Sequence, residues 1–371
     1  MSSSPGTPAR DVDALLRSCT NVLPGHGPRQ TIAESLREVA DWLAGDEQPD
    51  LYGTGAYLQA FEAEVAGMFG KPAGVFMPSG TMAQQIALRI WCDRAGRQTV
   101  AMHPSSHLEF AEHLGYLHLH GLRRLQFGAP EFVGGRVLTA SDFRELGAWP
   151  GAALLELPYR ELGGQLPPWE DLVATRQWAE ERGVALHLDG ARIWQCRGYY
   201  GKSFEEIGAL FDSIYVSFYK ELGALCGAML LGPEDFIAEA RVWQRRHGGN
   251  LFTQAPFVAS ARMGLATRLP QLETWVARAK EVAAILLECP GVRINPDPVQ
   301  VNFFQAYFEG DRATLLERHH QLAEETGTFL FRNLADGAIP GFAMTELHMF
   351  ENAMRFDLAQ LAPFVRRLLG R

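Results

Sequence analysis

The sequence lacks long apolar segments and closely spaced cysteines. Its longest weakly polar run, Leu222 to Gly232, is about half the ~20 residues that a membrane-spanning helix needs. The first residues, Ser2 to Arg10, are small and polar with no apolar stretch behind them, so we expect neither export nor transit and predict a cytoplasmic protein. The five cysteines show no close pair of the metal-finger or redox type, which predicts reduced thiols.

The chain also has fewer basic than acidic residues. The chain of 371 residues has 34 lysines and arginines against 43 acidic residues, a formal net charge of -9. Such a charge repels phosphate backbones and anionic membrane surfaces, so we predict neither a nucleic-acid nor a membrane partner. With 47% hydrophobic and 21% charged residues, the composition is that of an ordinary globular protein.

Short apolar runs alternate with helical patterns over the middle of the chain. The predicted strands are Gly74 to Met77, Thr99 to Met102, Arg123 to Phe127, Ala152 to Leu157, Val184 to Leu188, Ser213 to Phe218 and Ala228 to Leu231. Seven strands interleaved with helices predict an α/β fold with a mostly parallel sheet covered by helices on both faces.

The length of the chain suggests two domains. Beyond Pro233 helical patterns dominate, including one from Asp311 to Phe331, and a small sheet is expected from Val301 to Phe308 and Ala343 to Phe350. We predict an N-terminal arm (residues 1–30), a large domain (residues 31–235) and a small C-terminal α+β domain (residues 236–371).

A phosphate site is predicted where a strand passes into a helix. Ser79, Gly80 and Thr81 follow the first predicted strand and open an amphipathic helix. Free backbone N–H groups, hydroxyls and the positive end of the helix dipole together suit a phosphate. The alternative is a simple helix N-cap, because Ser and Thr are common at that position.

A carboxylate stands at the end of another predicted strand. Asp189 follows His187 and Leu188, at the sheet edge where open α/β proteins bind ligands. A buried carboxylate needs a cationic partner. A protonated pyridinium nitrogen would serve, leaving Arg192 to bind a substrate carboxylate in bidentate fashion. An internal salt bridge between Asp189 and Arg192 is the alternative.

A lysine follows a third strand. Lys220 comes directly after the apolar run Ser213 to Phe218. An amine that is desolvated there has a lowered pKa and can form an imine with a carbonyl group. A solvated surface lysine is the alternative. The phosphate motif, the acid and the lysine each stand at a strand terminus, and their joint occurrence favours the functional interpretation.

Five histidines fall within eighteen positions: His103, His107, His113, His118 and His120. We expect His118 and His120 to share one face of a strand. Imidazole suits zinc and copper, but no third ligand is fixed by the spacing. We therefore predict packing or surface histidines and no metal site.

These motifs together resemble the L-threonine aldolases. This family belongs to the beta-eliminating lyase/threonine aldolase group of pyridoxal 5'-phosphate enzymes, which have the aspartate-aminotransferase fold (fold type I). The resemblance runs from about residue 16 to residue 260. It is carried by Pro78-Ser79-Gly80-Thr81, His107 with Glu112, His187 to Arg192, Lys220, Arg17-Ser18-Cys19-Thr20, Asp50 to Glu62, and Gly163-Gly164.

The resemblance implies pyridoxal 5'-phosphate as the cofactor. Lys220 would hold it covalently as a Schiff base, and Asp189 would bind its ring nitrogen. Gly80 and Thr81, with the neighbouring Ser79, would hold its phosphate.

The resemblance also implies substrate contacts and an assembly. His107 would stack on the cofactor ring as a cofactor-binding and catalytic residue. Arg192 would line the cofactor site and grip the substrate α-carboxylate, assisted by Ser18. Tyr52 matches a segment that reaches the partner subunit's site, which implies a homodimer or homotetramer.

Three departures from the family pattern bear on the chemistry. Where the family has Glu-Asn-Thr-His, this chain has Glu156 to Tyr159, which makes Tyr159 the candidate replacement for a catalytic histidine. The loop Gly248 to Gln254 lacks the family's arginine, and Thr345 to His348 stands where a second carboxylate-binding arginine is expected. The comparison with the family pattern therefore implies that phosphate binding from that loop is weakened or rerouted, and that substrate choice differs from that of the family.

The resemblance implies an aldehyde-lyase. It would cleave the Cα–Cβ bond of a β-hydroxy-α-amino acid, of the threonine or phenylserine type, to glycine and an aldehyde. Two alternatives stay open. One is another reaction on the same scaffold, namely β-elimination, racemisation or aldol transfer. The other is a catalytically silent cofactor-binding protein.

Overall fold

The computed structural model describes residues 11–27, 30–127 and 135–371. The chain divides into two compact units. The larger unit is Gln30–Glu273, and the smaller one combines Met1–Arg29 with Thr274–Arg371. The domain boundary near residue 235 stays a prediction.

A seven-stranded sheet forms the centre of the larger unit. Strands are numbered along the chain, and β1, Asn21–Val22, belongs to the smaller unit. The strands of the sheet are β2 Ala73–Met77, β3 Thr99–Ala101, β4 Arg123–Leu125, β5 Ala152–Glu156, β6 Ala185–Gly190, β7 Ser213–Ser217 and β8 Ala228–Gly232. Their order is β2-β8-β7-β6-β5-β3-β4. All pairs are parallel except those of β8 with β2 and β7. The predicted mostly parallel sheet is confirmed.

Burial on both faces explains why these strands read as continuous apolar runs. Every residue of β5, β7 and β8 is buried, as expected for strands covered by helices on both sides. One core cluster packs Ile86 and Ile90 against Val75, Met77 and Tyr215. The helix that opens at the predicted phosphate motif is thereby fixed against the sheet.

The helices of the larger unit follow in chain order. They are α2 Ile32–Trp42, α3 Ala56–Met68, α4 Gly80–Ala95, α5 His107–Phe110, α6 Gly115–His120, α7 Ala140–Arg144, α8 Trp169–Arg182, α9 Arg197–Tyr200, α10 Phe204–Gly208, α11 Glu234–Arg246 and α12 Ala255–Arg268, with α1, Val12–Ser18, in the smaller unit. Short 3-10 turns occur at Arg160–Leu162, Ile193–Gln195 and Leu269–Gln271.

One sequence-based expectation for this unit is wrong. His118 and His120 lie in the helix α6 and not on a strand. Gly121 ends that helix in the left-handed conformation, with φ of 67°, which glycine adopts at little cost. The strand β4 therefore begins only at Arg123. His120 stacks on His247 with ring centroids 5.0 Å apart.

The smaller unit contains an antiparallel sheet. Its remaining elements are α13 Leu272–Leu287, β9 Val292–Asn295, β10 Phe303–Glu309, α14 Arg312–Thr326, β11 Thr328–Phe329, β12 Ala335–Asp336, β13 Phe342–His348, α15 Glu351–Arg355 and α16 Leu361–Leu368, with α13 beginning two residues before the unit does. Four strands have the order β12-β13-β10-β9. The expected helix Asp311 to Phe331 is too long, because Gly327 ends it with φ of 67° and β11 follows. There, β11 pairs in parallel with β1.

No helix within the described ranges has both the length and the apolar character needed to cross a bilayer. All five cysteines are free thiols, and Cys92, Cys196 and Cys289 are buried.

Candidate active site

Four of the residues predicted from sequence line one cleft in the larger unit. They are His107, Asp189, Arg192 and Lys220, and the cleft encloses about 350 Å³, including the part open to solvent. The other lining residues are Glu156, Pro158, Arg160, Glu161 and Ala191. β5 ends at Glu156 and β6 at Gly190, so the cleft lies at the carboxyl edge of the sheet, where open α/β proteins bind ligands.

Asp189 is fixed at this edge by two hydrogen bonds. Only 5% of the residue is exposed. Gln84 Nε2, from α4, donates to its Oδ2 over 2.7 Å, and the backbone N–H of Ala191 donates to its Oδ1 over 3.0 Å. Both donors favour the ionised carboxylate. Arg192, the partner that the alternative interpretation names for Asp189, forms an ion pair with Glu221.

Arg192 forms an ion pair with a buried carboxylate. Its Nε lies 3.1 Å from Oε1 of Glu221, and Glu221 is 1% exposed. The amide of Gln195 also donates to Glu221 Oε1, over 3.4 Å. Glu221 therefore directs the guanidinium from one side, which suits a group that must meet a planar carboxylate in a fixed orientation.

Lys220 is presented by the loop between β7 and β8. The backbone N–H of Phe218 donates to the carbonyl of Gly227 (3.1 Å) and closes the base of this loop. Ser260 of α12 accepts a hydrogen bond from the backbone N–H of Leu225 (2.8 Å). The loop is thus held by its own backbone and by a neighbouring helix.

The environment of Lys220 prepares its amine for reaction. Burial, followed by the positive charge of Arg192, lowers the pKa of this amine to about 8 against the opposing effect of the Asp189 carboxylate. An amine with such a pKa is partly neutral near pH 7, and the neutral amine is the nucleophile that attacks a carbonyl.

His107 is held by acidic side chains on two sides. It is the first residue of α5, and its Nδ1 lies 3.0 Å from Oε1 of the buried Glu112. Gln85 Nε2 donates to the other oxygen of Glu112 over 3.2 Å. The backbone N–H of His107 donates to Oε1 of Glu156 over 2.9 Å. These contacts fix both the ring and the turn that carries it.

Glu156 is a cleft residue that sequence reasoning did not select. It is the last residue of β5 and is 5% exposed. Burial, followed by the negative charge of Asp189, raises the pKa of its carboxyl to about 8. Its position near the end of a predicted strand, at the same sheet edge as Asp189, was the signal that could have identified it.

The phosphate motif lies at the start of α4 and does not line the cleft itself. Ser79 caps the helix, its Oγ accepting a hydrogen bond from the backbone N–H of Met82 (3.3 Å). A Cβ at Gly80 would lie 1.9 Å from the hydroxyl of Tyr215, so only glycine fits there. Thr81 is exposed. The same helix carries Gln84 to Asp189, which connects the motif to the cleft.

Two further residues of the larger unit that were named from sequence, Tyr159 and Tyr52, do not line the cleft. Tyr159 is completely buried, with its ring 5.1 Å from that of His103, and burial holds the pKa of its hydroxyl well above the ordinary range. Tyr52 is 55% exposed and adopts φ of 50°. Its backbone N–H donates to the carbonyl of Phe252 (2.9 Å). Ser18 lies in the smaller unit, where its hydroxyl donates to the carbonyl of Leu15 (2.7 Å).

Besides Glu156, sequence reasoning missed four contacting residues: Gln84, Arg160, Glu161 and Glu221. Arg160 and Glu161 are partly exposed at the cleft and form an ion pair of 3.2 Å. Both follow β5, and Glu221 adjoins Lys220, so each stands near a strand end. Gln84 lies inside α4, one helical turn beyond Gly80, so a search for polar residues at strand ends does not find it.

Comparison with known proteins gives a consistent assignment. Residues 30–308 match the sequence profile of the beta-eliminating lyase family. A solved structure from Listeria monocytogenes EGD-E, provisionally assigned as an L-allo-threonine aldolase, is 37% identical with a TM-score of 0.90 and covers 96% of this chain and 98% of its own. Low-specificity L-threonine aldolase 1 of Arabidopsis thaliana is 28% identical over 336 residues, 87% of this chain and 88% of that protein.

A more distant likeness concerns the fold alone. A serine palmitoyltransferase from S. paucimobilis, solved with a bound pyridoxal phosphate–myriocin adduct, is 16% identical with a TM-score of 0.67, covering 94% of this chain and 88% of its own. The α/β architecture with its mostly parallel sheet is that of fold type I. With a family profile matched over most of its length, the chain belongs to the beta-eliminating lyase/threonine aldolase family.

Proposed function

We propose that the protein is a pyridoxal 5'-phosphate-dependent aldehyde-lyase that cleaves the Cα–Cβ bond of a β-hydroxy-α-amino acid to glycine and an aldehyde. The observation that carries the proposal is the convergence of Lys220 and Asp189 on one cleft. The family of the chain and its likeness to L-threonine aldolases support it.

The residues of the cleft and of the start of α4 fit this cofactor. Lys220 offers an amine of lowered pKa, which suits covalent attachment to an aldehyde. Asp189, with its two hydrogen-bond donors, offers a carboxylate to a protonated ring nitrogen. The imidazole of His107, fixed by Glu112, offers a flat surface to the ring. The first turn of α4, with Ser79 to Thr81, offers N–H groups and a positive dipole end to a phosphate.

The bound cofactor supplies an acceptor for the electrons left on the α-carbon when one of its bonds breaks. The chain selects which bond that is. Arg192 would grip the α-carboxylate and so set the orientation of the substrate, and a group held in the reactive orientation gains much of its rate from that alone. Glu221 keeps the guanidinium pointed for this contact.

A proton must leave the β-hydroxyl during Cα–Cβ cleavage. Tyr159, proposed from the sequence for this role, does not line the cleft. His107 does, and its imidazole, acting directly or through a water molecule, is the better-placed acceptor. General-base assistance of this kind contributes about 10²–10⁴-fold to a rate.

We also propose a homo-oligomer, a dimer or tetramer, in which Tyr52 reaches the partner's cleft. Its turn is anchored by Asp50, which accepts hydrogen bonds from Gly53 (3.1 Å) and Thr253 (2.9 Å). The anchored turn presents Leu51, Tyr52 and Phe252 to solvent, each more than half exposed. A rigid turn with exposed apolar side chains suits a contact with a second copy.

The test is a panel of β-hydroxy amino acids, including threonine, allo-threonine and phenylserine, assayed for glycine and aldehyde. We expect release of both in equal amounts. Lys220→Ala should abolish the release and the visible absorbance of the bound cofactor. If no member gives aldehyde while serine is eliminated or alanine exchanges its α-proton, the aldolase assignment fails, and an eliminating, racemising or aldol-transferring enzyme replaces it.

A further inference from the structure

Two carboxyl groups stand side by side at the base of the cleft. Glu156 and Asp189 are register partners on the neighbouring parallel strands β5 and β6. Neighbouring strands lie about 4.8 Å apart, and register partners point to the same face. Each residue is only 5% exposed. Two charged carboxylates this close and this buried would repel one another strongly.

The two carboxyl groups accept hydrogen bonds from different sets of donors. Asp189 accepts from the side-chain amide of Gln84 and from the backbone N–H of Ala191, one bond to each oxygen. Glu156 accepts the backbone N–H of His107 at Oε1, and a hydrogen bond from the Ser106 side chain also lowers the pKa of its carboxyl. Donors stabilise the charged form of a carboxyl group. Both oxygens of Asp189 receive a donor, whereas at Glu156 burial and the Asp189 charge outweigh the two donors.

We propose that Glu156 carries the proton of this carboxyl pair at neutral pH, so that Asp189 stays ionised and a neutral carboxyl group, able to donate a hydrogen bond, faces the cleft. The role of the ionised Asp189 as partner of a ring nitrogen rests on the proposed function. The distribution of the proton between the two groups is a property of the fold and does not.

Charged and titratable groups lie near Glu156 on several elements, among them the buried Tyr159 that follows β5. Asp189 on β6 disfavours its ionisation, whereas Lys220, on the loop after β7, favours it. His107 with Glu112 faces it from the α5 turn, and Arg192 lines the same cleft. Burial and the Asp189 charge outweigh the cation and raise the pKa of Glu156 to about 8.

Protonation of Glu156 has a consequence for the alkaline side of the pH range. Above about pH 8, Glu156 ionises and places a second negative charge beside Asp189. That charge raises the pKa of the protonated groups nearby, Lys220 included. A glutamine at position 156 mimics the neutral carboxyl at all pH values, so this coupling disappears in Glu156→Gln.

Infrared difference spectroscopy of the cofactor-loaded protein tests the proposal directly. At pH 7, the spectrum of the unmodified protein minus that of Glu156→Gln should contain the C=O stretch of a protonated carboxylic acid, and at pH 9.5 it should not. The matched control is Glu161→Gln, which makes the same change at a partly exposed residue of the same cleft. It should lose only ionised-carboxylate bands. If Glu156→Gln loses only those bands at pH 7, the proposal is overturned.

A second measurement covers the case in which Glu156→Gln does not fold. The protonated-carboxyl band of the unmodified protein, followed against pH, should disappear near pH 8. In Asp189→Asn, without the neighbouring charge, the same inflection should move down by roughly one pH unit or more. An inflection that stays in place contradicts the pairing. A band that is present in a protein that releases no aldehyde leaves this proposal standing and removes the proposed function instead.

Discussion

The side-chain amide of Gln84 donates a hydrogen bond of 2.7 Å to the carboxylate of Asp189, joining helix α4 to the strand β6. Gln84 is 1% exposed. The helix that begins at the phosphate motif therefore also sets the orientation of the acid at the sheet edge. Helix α4 therefore contributes both to the proposed phosphate site and, through Gln84, to the orientation of the acid proposed to bind the ring nitrogen.

The first prediction concerns this bond. In Gln84→Ala, Asp189 loses a buried donor, and a bond to a charged group contributes about 1.5–3 kcal/mol. We expect kcat to fall about tenfold or more. We also expect a shift in the pH at which the visible absorbance of the bound cofactor changes. Steady-state kinetics and visible spectra check this. The control is Gln85→Ala, whose amide contacts Glu112 instead and whose loss should leave the chromophore titration in place. Identical absorbance titrations in both variants would contradict a link between the Gln84–Asp189 hydrogen bond and the protonation of the cofactor.

The second prediction separates the two candidate proton acceptors. Tyr159→Phe removes a hydroxyl that is buried away from the cleft and should change kcat less than about threefold. His107→Gln removes the imidazole that lines the cleft and should lower kcat by about 10²-fold or more. Aldehyde release measured with coupled dehydrogenase assays gives both values. The reverse order, with Tyr159→Phe the more damaging change, would restore Tyr159 as the base.

The sheet and the main cleft residues could be predicted from sequence because each depends on local pattern. Buried strands read as apolar runs, and their carboxyl ends collect at one edge, which placed Asp189 and Lys220 together. Glu156 shares this edge, but the predicted strand runs on to Leu157 while the observed strand ends at Glu156, so the sequence pattern does not mark the acid as a strand-end residue. Gln84 acts across 105 positions of chain, a separation that no local pattern contains.

The errors also have physical causes. The periodicity of alternating residues at His118 and His120 resembles a strand, but the left-handed Gly121 ends a short helix there. The apolar pattern after Asp311 continues past Gly327 into the residues of β11. The helix nevertheless ends at Gly327, because this residue adopts a positive φ. In both places one glycine decides the backbone, and hydrophobic spacing does not report it.

The third prediction concerns the two arginines of the cleft. Arg192→Lys keeps the charge but loses the planar, bidentate geometry. We expect KM for the amino acid to rise about tenfold or more. Arg160→Lys changes a more exposed arginine that pairs with Glu161 and should raise KM less. Substrate-saturation curves for both variants decide the matter. A larger effect at Arg160 would transfer the carboxylate contact to that residue.

The fourth prediction tests the tight contact at the start of α4. Gly80→Ala would bring a methyl group against the Tyr215 ring, and overpacking of this kind costs about 1–3 kcal/mol. We expect lower stability and weaker binding of the cofactor. Gly67→Ala is the matched control, because its new methyl group meets open space within α3 and should stabilise by about 0.5–1 kcal/mol. Urea unfolding and cofactor titration measure both. Equal stability of the two variants would contradict the close contact between position 80 and Tyr215.

The fifth prediction is a pH dependence of stability from the smaller unit. Burial, with a smaller contribution from the neighbouring His320, lowers the pKa of His319 to about 3. The folded state thus holds a neutral imidazole that accepts a hydrogen bond from the backbone N–H of Leu330 (3.1 Å). Below pH 6.5 the unfolded chain takes up a proton that the folded chain does not. The stability contributed by His319 is therefore complete above pH 6.5 and is lost as the pH falls toward 3.

The expected size of this effect is roughly 1–2 kcal/mol between pH 7 and pH 5. In His319→Gln, whose side chain does not titrate, the acid-side slope of the unfolding free energy should become shallower by that amount. Denaturant unfolding at a series of pH values provides the slopes. Parallel slopes in the variant and the unmodified protein would assign the acid sensitivity to other groups.

The pairing of β1 with β11 joins Asn21 to Thr328 and Val22 to Phe329. During synthesis, the segment that contains β1 leaves the ribosome first and its partner strand emerges about three hundred residues later. The larger unit lies between them in the sequence and can acquire its local contacts in the interval. The pairing of β1 with β11 therefore forms only after the larger unit has been synthesised, which makes this ladder a late step of folding.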